Sequence, residues 1–469
     1  MKKTLLIVPA LLLLVAVSSR AADAPATKTN VLFLVADDLA ARLGCYGDPA
    51  AITPNLDRLA GEGVRFARAF AQGSVCIPSR TSFMLGLNNR HAKSDHFLRN
   101  PDTMTLGRWF REHGYQTFSV GKIDHTEEYT DPKAWDIRVP ITEAKPPAKI
   151  GPRIRLDEDL GQKRTNISMV GVADRAEALD DWARTERAIQ FLEKERDPQK
   201  PFLAVVGFHS PHLPWDSTRA IHESHDPAKF TLEPTPADAS PLPPKSLLRE
   251  PGLEMSEARQ REGQRGYYSA VTVLDAQIGR LLGRLQTAGL AENTVVVFTS
   301  DQGYHLGWRG QWNKHTLSEQ VLRVPLIVRH PHGAKGAVAE GIVELLDLFP
   351  TFCDLAGLPA PATLDGKSFR PLLSDPKAGG KPAAFCWMPA MWGNGRTVRT
   401  ERWRLIERAD GSRELYDHDR DPLEYHNVIG NGSHATAVTR LHEMLEKEFG
   451  PLPKPAPAVG TQEGKKSRP

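Results

Sequence analysis

A chain of 469 residues exceeds one ordinary domain and calls for a large domain with a smaller companion, or for two of similar size. Its 25% charged and 40% apolar residues are those of a soluble globular protein, and a net charge of +3 is too small to argue for nucleic acid or an anionic membrane as partner. Four cysteines without tight spacing leave disulfide pairing open, with Cys45 or a Cys353–Cys386 pair as candidates.

The chain begins Met1-Lys2-Lys3, continues in an apolar run over 5–17, and then offers small residues at Ser19-Arg20-Ala21 and Ala22-Asp23-Ala24. This is the pattern of a secretory signal peptide over 1–24, which is set aside from fold reasoning. The run is short for a spanning helix, and no cysteine near the cleavage region invites lipidation. The mature protein is therefore expected to be exported, periplasmic or extracellular, with no stable membrane anchor.

Residues 29–36, TNVLFLVA, form an apolar, β-branched run ending at Asp37-Asp38. A run apolar on both faces suits a central strand of a parallel sheet. Thr53-Pro54-Asn55 carries the signals of a helix start, with Leu56, Leu59 and Ala60 as its buried face. Residues 64–71 read as a strand leading into a cysteine-bearing loop, and Ser79 onward as helix. An amphipathic helix over 105–114 precedes a strand over 115–120 that ends at Gly121-Lys122. Residues 133–172 are polar and Pro/Gly-rich and read as loop; 173–196 read as a helix with Arg/Glu pairing.

A buried strand over 201–207 ends at His209-Ser210-Pro211-His212. Residues 213–256, rich in proline and charge, read as a long surface excursion of the kind that borders binding sites. A long helix over 259–288 is followed by a strand over 293–300 ending at Asp301-Gln302, and by another over 324–328. Alternating strands and helices predict an α/β fold with a large, mostly parallel sheet flanked by helices, occupying 25–375. Beyond 375, four short strands and a helix over 435–449 predict a small α+β domain with an antiparallel sheet over 376–450. The proline-rich, then basic, segment 451–469 is expected to be disordered.

In parallel sheets, ligands bind outside the carboxyl ends of the strands. Asp37-Asp38, Lys122, His209/His212 and Asp301-Gln302 each follow a strand directly. Isolated aspartates at such places usually cap helices or shape turns. Three carboxylates brought together instead suit Ca²⁺ or Mg²⁺, since without a cation they would repel one another. Gln302 can add an amide oxygen. Lys122, His125, His212 and Lys314 supply the N–H donors and proton carriers that a tetrahedral anion requires. Between them stands Cys76-Ile77-Pro78-Ser79-Arg80, which on its own is equally compatible with a buried structural cysteine at a turn.

With those residues in view, Cys76-x-Pro-Ser-Arg80 resembles the signature of the type I, formylglycine-dependent sulfatases of the alkaline phosphatase superfamily, on the branch of iduronate-2-sulfatase and its bacterial relatives. The resemblance spans about 28–450. It includes Asp37-Asp38, Gly44-Cys45-Tyr46-Gly47, Thr53-Pro54-Asn55-Leu56-Asp57, Gly121-Lys122-Ile123-Asp124-His125, Gly207-Phe208-His209-Ser210-Pro211-His212, Ser300-Asp301-Gln302-Gly303 and Gly310-Gln311-Trp312-Asn313-Lys314.

The resemblance implies that a maturation enzyme oxidises Cys76 to formylglycine. It also implies that Asp37, Asp38, Asp301, Gln302 and the modified Cys76 hold a divalent cation, usually Ca²⁺. Arg80 and Lys122 would hold the formylglycine hydroxyls and sulfate, His212 and Lys314 would assist the leaving oxygen, and His125 would take the proton whose loss releases sulfate. The implied substrate is a sulfated carbohydrate. Gln302 stands where the family has histidine or asparagine, and Met84-Leu85-Gly86-Leu87 replaces the usual Leu-Thr-Gly-Arg. Two other readings accompany this one: a phosphomonoester or phosphonate hydrolase of the same superfamily, and an unmatured glycan-binding homologue. Specificity is expected in 91–100, 133–170, 213–256 and the small domain, with Lys93, Asp95, His96 and Arg99 as candidate sugar contacts.

Overall fold

The structure, a computed structural model, describes residues 28–92, 102–125, 130–147, 150–156, 169–232, 235–243, 255–388 and 395–452. The expected signal peptide, the four candidate sugar contacts between 93 and 99, and nearly all of the C-terminal tail lie outside these residues. No helix among the described residues is long and apolar enough to cross a membrane.

Strands β1 (Asn30–Ala36), β2 (Val64–Phe70), β3 (Gln116–Gly121) and β4 (Ile137–Val139) are followed by β5 (Ile154–Arg155), β6 (Met169–Ala173), β7 (Phe202–Gly207) and β8 (Trp215–Thr218). Next come β9 (Thr294–Ser300), β10 (Arg323–Val324), β11 (Leu326–Arg329) and β12 (Ala337–Glu344). The last four are β13 (Ala384–Met388), β14 (Gly395–Arg399), β15 (Trp403–Arg408) and β16 (Arg413–Asp417). The large sheet has the order β10-β2-β11-β9-β1-β7-β3-β4, with β12 also paired to β2.

Strand β1 is the axis of this sheet because its sequence is apolar on both faces. Leu32, Leu34 and Ala36 enter one core layer, beneath the long helix Glu257–Thr287; Val31, Phe33 and Val35 enter the other, against Phe83, Phe349 and Phe352. Burying each large side chain contributes about 1.5–3 kcal/mol, which excludes this strand from any edge position. It pairs in parallel with β7 and β9, and β3 extends the parallel array from β7. The carboxyl ends of β1, β3, β7 and β9 are thereby aligned, with Ala36 opposite Ser300 and Gly121 opposite Gly207.

The expected mostly parallel α/β sheet is present, with an antiparallel portion: β11 runs against both β9 and β2. The single strand expected at 324–328 is two, because Pro325 has no N–H to donate to a ladder. The segment 133–172 is not only loop, since it carries β4, β5 and the start of β6. The 213–256 segment is not wholly an excursion either. It contributes β8 and the helix Arg219–Ser224, and Trp215 is buried edge-to-face against Tyr267 and Tyr304. Strands of two to five residues carry too little alternation to register in sequence and form because β6 and β8 pair with each other. All four cysteines are free, which removes the candidate disulfides.

The small antiparallel sheet has the order β13-β14-β15-β16. One face is covered by the helix Ala435–Phe449 through Leu441, Leu445 and Phe449. The other shares a core with Phe70, Val75 and Leu322 of the large sheet's surroundings. A buried ion network reinforces this junction: Glu319 Oε2 lies 3.0 Å from Arg399 Nε and 2.6 Å from Arg404 Nη2, and Arg404 Nε lies 2.6 Å from Glu424 Oε1.

Burial opposes ionisation of Glu319, but Arg399 and Arg404 outweigh it and hold the carboxyl well below the usual range. A depressed carboxyl stabilises the fold above its ordinary value of 4.5, and that contribution is lost as the pH falls below it. Glu319→Gln should therefore cost about 2–4 kcal/mol at neutral pH. It should also flatten the loss of stability on acidification, read by urea unfolding at neutral pH and near pH 4.

Candidate active site

The site forms where four parallel strands end. After β1 the chain turns at Asp38, whose φ of 66° lies in the left-handed region that aspartate tolerates better than most residues. That turn lets two consecutive carboxylates converge: ligand atoms of Asp37, Asp38, Cys76 and His212 all lie within 4.8 Å of one another. Cys76 opens the helix Cys76–Leu85, which begins three residues earlier than its sequence suggests. Pro78 sits in the first turn, where its missing N–H has no helical partner to lose. Gly86 ends the helix in the left-handed conformation.

The Cys76 sulfur is the hub. Lys314 Nζ lies 3.1 Å from it, Asp37 Oδ1 3.3 Å, and Lys122 Nζ and Gln302 Nε2 3.4 Å each. Lys122 also pairs with Asp37, and Lys314 Nζ lies 2.5 Å from Asp38 Oδ1. Arg80, one helical turn after Cys76, donates to Asp301 Oδ2 at 2.7 Å and to the carbonyls of Ile123 and Ala36 at 3.2 Å, and it also bonds the carbonyl of Lys122. One guanidinium thus ties the ends of β1, β3 and β9 to the cysteine helix.

Exposure divides the site into floor and rim. Asp37, Asp301 and Gln302 are fully buried and Arg80 nearly so, whereas the His212 side chain is 29% exposed. The solvent-facing side of the site is therefore formed by His212, Lys314 and the half-buried His125.

Two placements differ from expectation. Asp301 stands outside the group that converges on the sulfur. Its Oδ1 accepts the backbone N–H groups of Asp38 at 3.2 Å and Gln302 at 2.9 Å, while Oδ2 serves Arg80. His212 joins that group instead, with Nε2 3.8 Å from Asp38 Oδ2. Ser79, part of the cysteine motif but without a role assigned from sequence, contributes through its hydroxyl, which donates to the Asp301 carbonyl at 2.5 Å.

Burial, and then the charge of Asp37, pushes the Cys76 thiol up to about 12, so at neutral pH it is a protonated, poor nucleophile. Burial opposes ionisation of Asp37, but Lys122, His212, Arg80 and Lys314 hold it well below the usual carboxylate range. Burial and Lys122 hold His125 down at about 4, which leaves a neutral imidazole whose Nδ1 is buried with no hydrogen-bond partner.

The donor set fits a hard divalent cation. Asp37 and Asp38 offer anionic oxygens, and the buried Gln302 Oε1 has no hydrogen-bond partner while its Nε2 donates to Asp38 Oδ1 at 2.5 Å. A half-turn of that nearly symmetric amide presents the oxygen to the same place.

Residues 29–358 match the family described as Sulfatase, and residues 307–449 the family described as N-sulphoglucosamine sulphohydrolase, C-terminal. The chain belongs to the sulfatase family. It is a sulfuric ester hydrolase, in a family that uses formylglycine and a divalent metal. Iduronate 2-sulfatase of Mus musculus is 30% identical, over 88% of this chain and 93% of its own. N-acetylglucosamine-6-O-sulfatase of Bacteroides thetaiotaomicron is 27% identical, over 90% and 86%.

Among solved structures, a protein in complex with its substrate D-glucosamine-2-N,6-O-disulfate superposes with a TM-score of 0.70 at 24% identity, covering 90% of this chain and 98% of its own. Phosphonate monoester hydrolase of Agrobacterium radiobacter superposes at 0.71 with 21% identity, covering 90% and 95%. At such identities these structures establish the sulfatase fold alone.

Asp38→Asn keeps the shape of the side chain and tolerates the left-handed backbone, but removes an anionic oxygen. After dialysis against Ca²⁺ and then metal-free buffer, elemental analysis should find the variant well below the wild-type metal content; equal content would refute Asp38 as a ligand.

Proposed function

We propose that this sulfatase removes sulfate esters from a carbohydrate, as an iduronate-2-sulfatase-like glycan desulfating enzyme. It would do so by sulfuryl transfer to a formylglycine hydrate made from Cys76, followed by elimination of sulfate. The observation that carries the reading is the crowding of Lys314, Lys122, Asp37 and Gln302 around the Cys76 sulfur, all within 3.4 Å, at the start of a ten-residue helix. Helix N-termini favour anions, and the two ammonium groups add donors for sulfate oxygens. A buried thiol pushed up to about 12 is poorly suited to the task as encoded, which supports its conversion by a formylglycine-generating enzyme.

Asp37, Asp38, Gln302 and residue 76 are the proposed metal ligands, and Asp301, expected among them, would instead fix the floor beneath them through Arg80 and the backbone N–H groups of Asp38 and Gln302. Bound there, a divalent cation, Ca²⁺ in preference to Mg²⁺, would draw charge from the sulfate oxygens. Arg80 fixes the cysteine helix against the floor, and Lys122 orients the hydroxyls of the matured residue. Lys314 and His212, at the rim, hydrogen-bond the ester and its leaving oxygen. His125, neutral with a free Nδ1, accepts the proton whose loss releases sulfate. The carbohydrate assignment follows the names of the relatives, and export to the periplasm or exterior follows from residues 1–24.

The matured wild type should hydrolyse aryl sulfate and a sulfated uronate- or hexosamine-containing sugar much faster than aryl phosphate. Cys76→Ala should lose roughly four orders of magnitude or more in kcat while melting as a folded protein. A preference for phosphate would favour the phosphoester or phosphonate reading. An intact-mass spectrum of the Cys76 peptide showing only the thiol, after coexpression with a maturation enzyme, would favour a non-catalytic glycan-binding protein.

A further inference from the structure

One buried ion pair beside the site has no part in the proposed chemistry. Asp181 and Arg184 stand three residues apart on the helix Asp180–Gln190, are 2% and 1% exposed, and meet with Nη1 2.5 Å from Oδ1. Desolvation offsets most of what such a pair contributes to stability, so its other contacts are the informative ones.

Asp181 holds the loop that follows β7. Its Oδ1 accepts the backbone N–H of His209 at 2.7 Å and its Oδ2 that of Ser210 at 2.9 Å. The loop then closes through the His212 N–H donating to the His209 carbonyl at 2.8 Å. His212 Nδ1 lies 2.6 Å from the Leu213 carbonyl. A carbonyl only accepts, so Nδ1 carries a proton there; Nε2, the nitrogen turned toward Asp38 and the site, donates to the leaving oxygen when it carries the second proton of the imidazolium.

Arg184 packs against the end of β3. Gly121 has a φ of +79°, and a Cβ on it would lie 2.7 Å from Arg184 Cδ, 3.0 Å from its Nε and 2.1 Å from the Gly207 carbonyl oxygen. The arginine stem is therefore seated directly against the residue before Lys122, whose N–H donates to the Gly207 carbonyl at 3.0 Å. One ion pair thus touches both the loop that presents His212 and the strand end that presents Lys122.

We infer that Asp181 and Arg184 form a positioning pair for the reaction: they hold the His212 ring at the leaving oxygen, in register with Lys122 and residue 76. This rests on the catalytic reading above. The pair touches no substrate, and its effect passes through His212.

The test uses the matured full-length enzyme and a series of aryl sulfates whose phenols differ in acidity, together with a sugar sulfate. Asp181→Asn keeps the side-chain shape but leaves one of the two backbone N–H groups without an acceptor. It should lower kcat for the sugar sulfate and the poorest phenols by at least about tenfold, with KM nearly unchanged. The loss should shrink toward nil for nitrophenyl sulfate, whose leaving group needs little help. In a His212→Ala background the same substitution should add nothing.

An equal fractional loss for every leaving group, or a full additional loss in the His212→Ala background, would overturn the positioning role and leave ordinary destabilisation. If His212→Ala itself showed no dependence on the leaving group, the role given to His212 would fail; a normal His212→Ala profile beside a flat Asp181→Asn profile would defeat the pair alone. Should Asp181→Asn not fold, Arg184→Lys retains the charge while withdrawing the planar group from beneath Gly121, and the same criteria apply.

Discussion

Six charges in one place, five of them buried and Lys314 at the rim, set the terms for the rest of the molecule. Asp37, Asp38 and Asp301 are answered by Arg80, Lys122 and Lys314. Any one of these groups, left buried without its partner, would carry a penalty of several kcal/mol. The partners come from different elements: the end of β1, the cysteine helix, the end of β3 and the loop after β9. Balance is reached only when the whole parallel array is assembled, so the site and the fold form together. A divalent cation and an anionic ester add charges of opposite sign, and their joint entry disturbs that balance less than either would alone.

The same environment explains why the central residue is unreactive as encoded. Cys76 lies at a helix N-terminus between two ammonium groups, which should favour a thiolate, yet burial and Asp37 prevail and push it up. Polar groups that are well placed for an oxygen-rich reacting centre surround a sulfur that cannot exploit them. Catalytic competence in this reading is acquired after synthesis, and the fold supplies a finished cradle for it.

The small C-terminal sheet is part of this cradle. Its inner face shares a hydrophobic cluster with Val75, immediately before Cys76, and the Met388 sulfur accepts the Ser74 backbone N–H at 3.3 Å. The Glu319–Arg399–Arg404–Glu424 network joins it to the segment just beyond Lys314. Movement of this sheet would disturb the Cys76 segment from one side and the Lys314 loop from the other.

The amino-acid sequence by itself determined the central strands, the final helix and the identity of the clustered residues. Strands β1, β7 and β9 are legible because both faces are apolar, and the helix Ala435–Phe449 because its apolar spacing is regular. Cys76, Arg80, Lys122, His212 and Lys314 are legible as a motif set. Only the tertiary structure decided the rest, because it depends on partners remote in the chain. Strands β5, β8 and β10 exist through pairing rather than propensity, and β11 reverses direction to lie between β9 and β2. Asp301 turns to Arg80 and two backbone amides, and His212 takes its place beside Asp37 and Asp38. Asp181 and Arg184 look like an ordinary i,i+3 pair on a helix until His209, Ser210 and Gly121 are seen against them. A sequence pattern records what each residue can bond to; which bond is made is settled by distance, and distance across a parallel sheet is a property of the assembled fold.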